Sequence, residues 1–173
     1  MKYFLVILLS CLSWSTLANE SFYKLGVGDQ IRIQVYDEPE LSIETRVGDS
    51  GNIDYPFLGR IKLKGKTIEE VKTAIHNGLI DGYLVNPNVF VSIVEYRPYF
   101  INGQVKISGS YPYHPGLTVN KAITIAGGFT ERASKTKIYI SSSDAPEAKP
   151  VKVTLLHKIQ PGDILTVEEE SFF

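Results

Sequence analysis

Polar and apolar residues alternate with period two in several short stretches of the chain. From Gln30 to Val35, the apolar Ile31, Ile33 and Val35 interleave with Gln30, Arg32 and Gln34, which predicts a strand with one buried face. Val89 to Val94 is apolar on both sides and fits a more central strand. Further strands are predicted at Ile53 to Tyr55, Gly59 to Leu63, Phe100 to Ile107, Lys137 to Ser141, Val151 to Leu155 and Ile164 to Val167.

Two stretches change to helical spacing. Thr67 and Glu70 form a capping box, after which Ile68, Val71, Ile75 and Leu79 fall on one face, and the helix is expected to end near Gly78 or Gly82. A second, shorter helix starts at Thr118, places Val119, Ala122, Ile123 and Ala126 on one side and stops at Gly127-Gly128, where a left-handed cap needs no Cβ. Barely three turns long, it is stable only against a sheet. The order strand, helix, strand thus occurs twice, with a seam from Glu95 to Tyr99 where Pro98 interrupts the strand pattern. This predicts an α+β protein of two small mixed units. Gly28-Asp29-Gln30-Ile31 and Gly162-Asp163-Ile164-Leu165 echo each other as turn-then-strand devices, too short to count as a repeat.

The first eighteen residues differ in kind. Lys2 precedes an apolar run from Tyr3 to Leu9, and Ser15-Thr16-Leu17-Ala18 ends in small residues, the pattern of a secretory signal cleaved after Ala18. The run is too short to cross a hydrocarbon core, which takes about 20 residues. Leu8-Leu9-Ser10-Cys11 offers the alternative of a lipidated Cys11, although Leu9 suits that processing box poorly. Cleavage at Ala18 removes the single cysteine, and with it disulfide, thiolate-metal and cysteine-nucleophile chemistry. It also takes the formal charge from −1 to −2, which gives no electrostatic footprint for nucleic acid.

No catalytic constellation emerges. His76, His114 and His157 are scattered, with no zinc-binding spacing, so neither metal nor cofactor is expected. Gly26-Val27-Gly28 lacks the third glycine and the following helix of a phosphate loop. Asp49-Ser50-Gly51 resembles the loop of an aspartic protease, but all three are turn residues and the rest of that pattern is missing, so a β-turn is expected. Tyr96, Tyr99 and Phe100 cluster at the seam, and Tyr111-Pro112-Tyr113-His114-Pro115 forms a stiff aromatic loop in which Tyr111 and Tyr113 are the candidates for glycan contact.

Two motifs resemble a known family. Tyr23-Lys24-Leu25-Gly26-Val27-Gly28-Asp29 with IRIQV, then DSGNIDYPFLGRIKLKGKT at 49 to 67, resemble the polysaccharide export domain of Wza-type outer-membrane polysaccharide export proteins. INGQVKISGSYPYHPGLTVNKAITIAGGFTERAS at 101 to 134 resembles the soluble-ligand-binding β-grasp (SLBB) domain that follows it there. The resemblance implies a signal peptide over 1–18, an export domain over 19–96 and a ubiquitin-like β-grasp domain over 97–173. It implies no enzymatic activity, but a periplasmic, outer-membrane-associated subunit whose copies form a ring that conducts a capsular or exopolysaccharide chain. An inner-membrane polysaccharide co-polymerase, often a tyrosine autokinase, would dock on that ring.

Three departures bear on this expectation. Ser108 stands where the family usually has proline, only one β-grasp unit is present, and no amphipathic helix follows the last predicted strand before Phe173. The last of these predicts reliance on a separate outer-membrane β-barrel. The alternatives are a monomeric periplasmic glycan-binding or sensing module, and a peptidase built on Asp49.

Overall fold

The computed structural model describes residues 23–145 and 147–170, so the expected signal segment and Cys11 lie outside the described residues. Among the described residues, ten strands and two α-helices form two lobes, each with its own core. The chain is therefore α+β, as its two periodicities predict.

In the first lobe, β1 (Gln30–Val35) lies between β2 (Ile43–Arg46) and β5 (Val89–Glu95), antiparallel to both. β3 (Asn52–Tyr55) and β4 (Gly59–Lys62) form a separate hairpin. The helix α1 (Ile68–Ile80) begins with the expected capping box: the Thr67 hydroxyl accepts from Glu70 N–H, and the Glu70 carboxylate accepts from Thr67 N–H at 2.7 Å. Such a cap is worth about 1 kcal/mol. The helix runs through Gly78 because a Cβ there would come within 2.8 Å of Leu58, so the glycine serves close packing and does not end the helix. Val71, Ile75 and Leu79 bury against Ile31, Ile33, Val35, Val89 and Leu63.

The second lobe is a five-stranded sheet in the order β7 (Gly109–Tyr111), β6 (Tyr99–Gly103), β10 (Asp163–Glu169), β8 (Ala133–Ser142) and β9 (Val151–Lys152). β6 and β10 are parallel, while the other pairs are antiparallel. The helix α2 (Val119–Ile125) buries Val119, Ala122 and Ile123 against the sheet residues Ile101, Ile138, Leu165 and Val167, which gives the β-grasp arrangement.

Four sequence expectations are revised. β5, expected as a more central strand, lies at the edge of its sheet with one side largely exposed, and the strand expected from Val151 to Leu155 ends at Lys152. The strand expected from Phe100 to Ile107 ends at Gly103, whose φ of +84° and proximity to Val167 turn the chain away. A Cβ on Gly103 would lie 2.1 Å from the Val167 carbonyl oxygen. Strands β2 and β7 were not anticipated, since each is short and exists only through its pairing with β1 or β6.

Candidate functional site

The lobes meet at the chain segment 96–98, where Arg97 bonds to both, and Lys64 of the first lobe also pairs with Asp144 of the second at 3.9 Å. The Arg97 backbone N–H donates to Asp29 Oδ1 at 2.7 Å, and its Nη1 donates to Asp29 Oδ2 at 3.1 Å. Asp29 Oδ2 also accepts from Gly26 N–H at 2.7 Å and from the Tyr23 hydroxyl at 2.6 Å. The Asp29 side chain is fully buried, so its charge is tolerable only because four donors converge on it. From the other end of the guanidinium, Nη2 donates to Asp144 of the second lobe. One planar cation thus spans carboxylates from both lobes, a geometry that lysine cannot reproduce.

The local sequence builds this cradle. Gly26 leaves room for the guanidinium: a Cβ there would sit 1.8 Å from Arg97 Nη1. Gly162 does the same from the second lobe, where a Cβ would lie 2.6 Å from Arg97 Nε, and its φ is +84°. Gly162 N–H donates to the Pro98 carbonyl at 3.0 Å, and the Ser143 N–H donates to Gly162 at 3.0 Å, which tethers the connector to the second lobe. Arg97 Nε is buried without a hydrogen-bond partner among the described residues.

The echo between Gly28-Asp29 and Gly162-Asp163 proves to be structural. Asp29 accepts from the N–H three residues earlier at 2.7 Å, and Asp163 accepts from Gln160 N–H, also three earlier, at 2.7 Å. Burial holds the Asp163 carboxyl above the usual carboxylate range, against the Gln160 N–H bond and the nearby charges of His157 and Arg97.

A ladder of tyrosines crosses the seam beside Arg97. Tyr23 and Tyr96 meet edge to face at 5.2 Å, and Tyr96 and Tyr113 do so at 5.3 Å. The Arg97 guanidinium lies 5.7 Å from the centre of the Tyr23 ring. Burial, then the hydrogen bond to Asp29, drives the Tyr23 hydroxyl far above its ordinary pKa; burial also raises Tyr96 and Tyr113.

Of the two glycan candidates, Tyr113 is thus a rung of this ladder, and Tyr111 stacks on Tyr99 at 5.8 Å with its hydroxyl donating to the Ile107 carbonyl at 2.7 Å. Both rings are half-buried. The expected turn at Asp49-Ser50-Gly51 is closed by Gly51 N–H to the Gly48 carbonyl at 2.8 Å, with Asp49 exposed. His76 Nδ1 lies 2.9 Å from the Pro87 carbonyl. Among the described residues, no group of three His, Cys, Asp or Glu side chains could hold a metal ion, and no helix is long and apolar enough to cross a membrane.

Sequence reasoning marked the seam and its tyrosines but missed Arg97, Asp29 and Asp144 as a unit. The available signal was a lone arginine between aromatic residues and a proline, in Tyr96-Arg97-Pro98-Tyr99.

Comparison with known proteins matches residues 17–94 to the polysaccharide biosynthesis/export protein family and residues 98–151 to the SLBB domain. The exopolysaccharide production protein ExoF of Rhizobium meliloti (strain 1021) is 35% identical over 128 residues, covering 67% of this chain and 30% of that protein. The EPS I polysaccharide export outer membrane protein EpsA of Ralstonia nicotianae is 27% identical over 176 residues, covering 86% and 46%. The polysialic acid transport protein KpsD of Escherichia coli is 25% identical over 134 residues, covering 74% and 24%. The chain spans less than half the length of these curated relatives.

Proposed function

The chain belongs to the Wza-type polysaccharide export proteins, and from that premise we propose that it is a non-enzymatic component of a capsular or exopolysaccharide export complex. In this reading it acts in the periplasm in association with the outer membrane. Copies assemble into a ring through which the polymer passes, and the ring engages an inner-membrane co-polymerase.

The observation that carries the reading is the Arg97 junction. A conduit subunit has to hold its domains at a fixed angle so that copies close into a ring, and a largely enclosed arginine tied to both lobes supports such a role. Further support comes from β5, an edge strand whose Phe90 and Val94 are exposed and apolar, a surface suited to a neighbouring copy. The names of the relatives, which mention export, transport and outer membrane, point to the same role.

The test is deletion of the gene, followed by assay of surface and periplasmic polysaccharide. Loss of the surface polymer, restored by the wild-type gene but not by Arg97→Ala, is expected. Undiminished surface polymer in the deletion strain would refute the proposal. Light scattering on the purified protein with its co-polymerase should show a large assembly, whereas a monomer there would favour a glycan-binding module.

A further inference from the structure

On the second lobe, away from the junction, β8 and the chain following β9 enclose an open cleft of about 700 Å³ lined by Lys135, Thr136, Lys152, Val153, Thr154, Leu155 and Leu156. The register explains how it forms. Lys152 stands opposite Tyr139 and Val153 N–H donates to the Ile138 carbonyl at 2.9 Å, so the antiparallel course carries residues 154–156 alongside residues 135–136. The volume falls in the range of small-ligand sites.

The lining is chemically one-sided. No carboxylate contributes to it, although the chain as a whole is slightly acidic. Lys135 and Lys152 are exposed, and neither enters an ion pair among the described residues. Arg32, Arg46, Lys72 and Arg132 are matched to acids, and other exposed lysines such as Lys62 and Lys158 show no ion pair among the described residues; what sets Lys135 and Lys152 apart is that they line one hollow with no carboxylate in it. Leu156 is 84% exposed, an apolar side chain left uncovered beside two unmatched ammonium groups.

We infer that this cleft binds an acidic sugar unit of the exported polymer, such as a uronic acid. Lys135 and Lys152 would receive the carboxylate, Thr136 and Thr154 would bond sugar hydroxyls, and Leu156 would face the C–H side of the ring. A sugar is favoured over an acidic peptide because the site joins cations to both hydroxyl partners and an uncovered aliphatic side chain. The inference rests on the export reading for the identity of the polymer, but not for the binding itself.

The test is calorimetric titration of the full chain with a hexamer of galacturonic acid, with maltohexaose and hexaglutamate as comparisons. The galacturonate hexamer is expected to bind more weakly as salt rises. Lys135→Gln with Lys152→Gln should weaken it at least about tenfold, and Lys62→Gln on β4 should leave it unchanged. Failure of the galacturonate hexamer to bind would overturn the proposal, as would equal binding of maltohexaose, tighter binding of hexaglutamate, or an unaffected double variant. If the double variant does not fold, methyl NMR on the wild-type chain decides: galacturonate should shift Val153, Leu155 and Leu156, and shifts elsewhere alone would refute the site. Loss of surface polymer on gene deletion combined with no galacturonate binding would defeat this inference while leaving the export reading standing.

Discussion

Asp29 and Asp163 occupy the same turn in different lobes, yet they carry different loads. Each closes a glycine-containing turn by accepting an N–H from three residues earlier. Asp29 also takes the Tyr23 hydroxyl and two donors from Arg97, and so becomes the buried anchor between lobes. Asp163 keeps its single hydrogen bond and is held in its neutral form more readily by burial. A short motif therefore fixes a local conformation, while the charge that reaches it across the fold decides whether it also bears a domain interface.

The largest expected effect tests that difference directly. Asp29→Ala removes the buried carboxylate that accepts from Arg97 Nη1, the Tyr23 hydroxyl and two backbone N–H groups, and should cost about 3–5 kcal/mol in urea unfolding. It should also split a single transition into two as the lobes uncouple. Gly162→Ala comes next, at about 1–3 kcal/mol, because the new Cβ meets Arg97 and Ser143 at a positive φ. Asp163→Ala should cost only about 1 kcal/mol, the worth of one hydrogen bond, and should keep one transition. Equal losses from the two aspartate variants would break the comparison.

The smallest effect is a pH dependence. The folded-state pKa of Asp163 is raised above the ordinary 3.8, so the native state takes up this proton first as the pH falls. The ionised carboxylate thus opposes folding at neutral pH, and that penalty is relieved as the pH drops through the raised pKa. Asp163→Asn, which keeps an acceptor for Gln160, should be at least as stable as the wild type at pH 7. Its advantage should vanish below pH 3.8, as measured by stability curves across that window. A growing advantage in acid would reverse the assignment.

Much of the fold was legible because its signals are local. The capping box at Thr67 and Glu70, the alternation in Gln30 to Val35 and the Gly127-Gly128 stop each act within a few residues and hold in the structure. The lost portions depend on distant partners. Ile43-Glu44-Thr45-Arg46 becomes a strand through pairing with β1, where Arg32 and Gln30 bond Glu44. Tyr111 and Tyr113 were marked for their aromatic chemistry, and the structure shows their rings packed on Tyr99 and Tyr96.

By itself, the sequence determined the element types, their order and the two Gly-Asp turns, since periodicity, capping and allowed dihedrals are properties of neighbouring residues. Only the tertiary structure decided that Arg97 would lie between Asp29 and Asp144, 68 and 47 positions away in the chain. The reason is that a buried charge gains its stability from partners gathered around it in space, and no short window of residues contains them all.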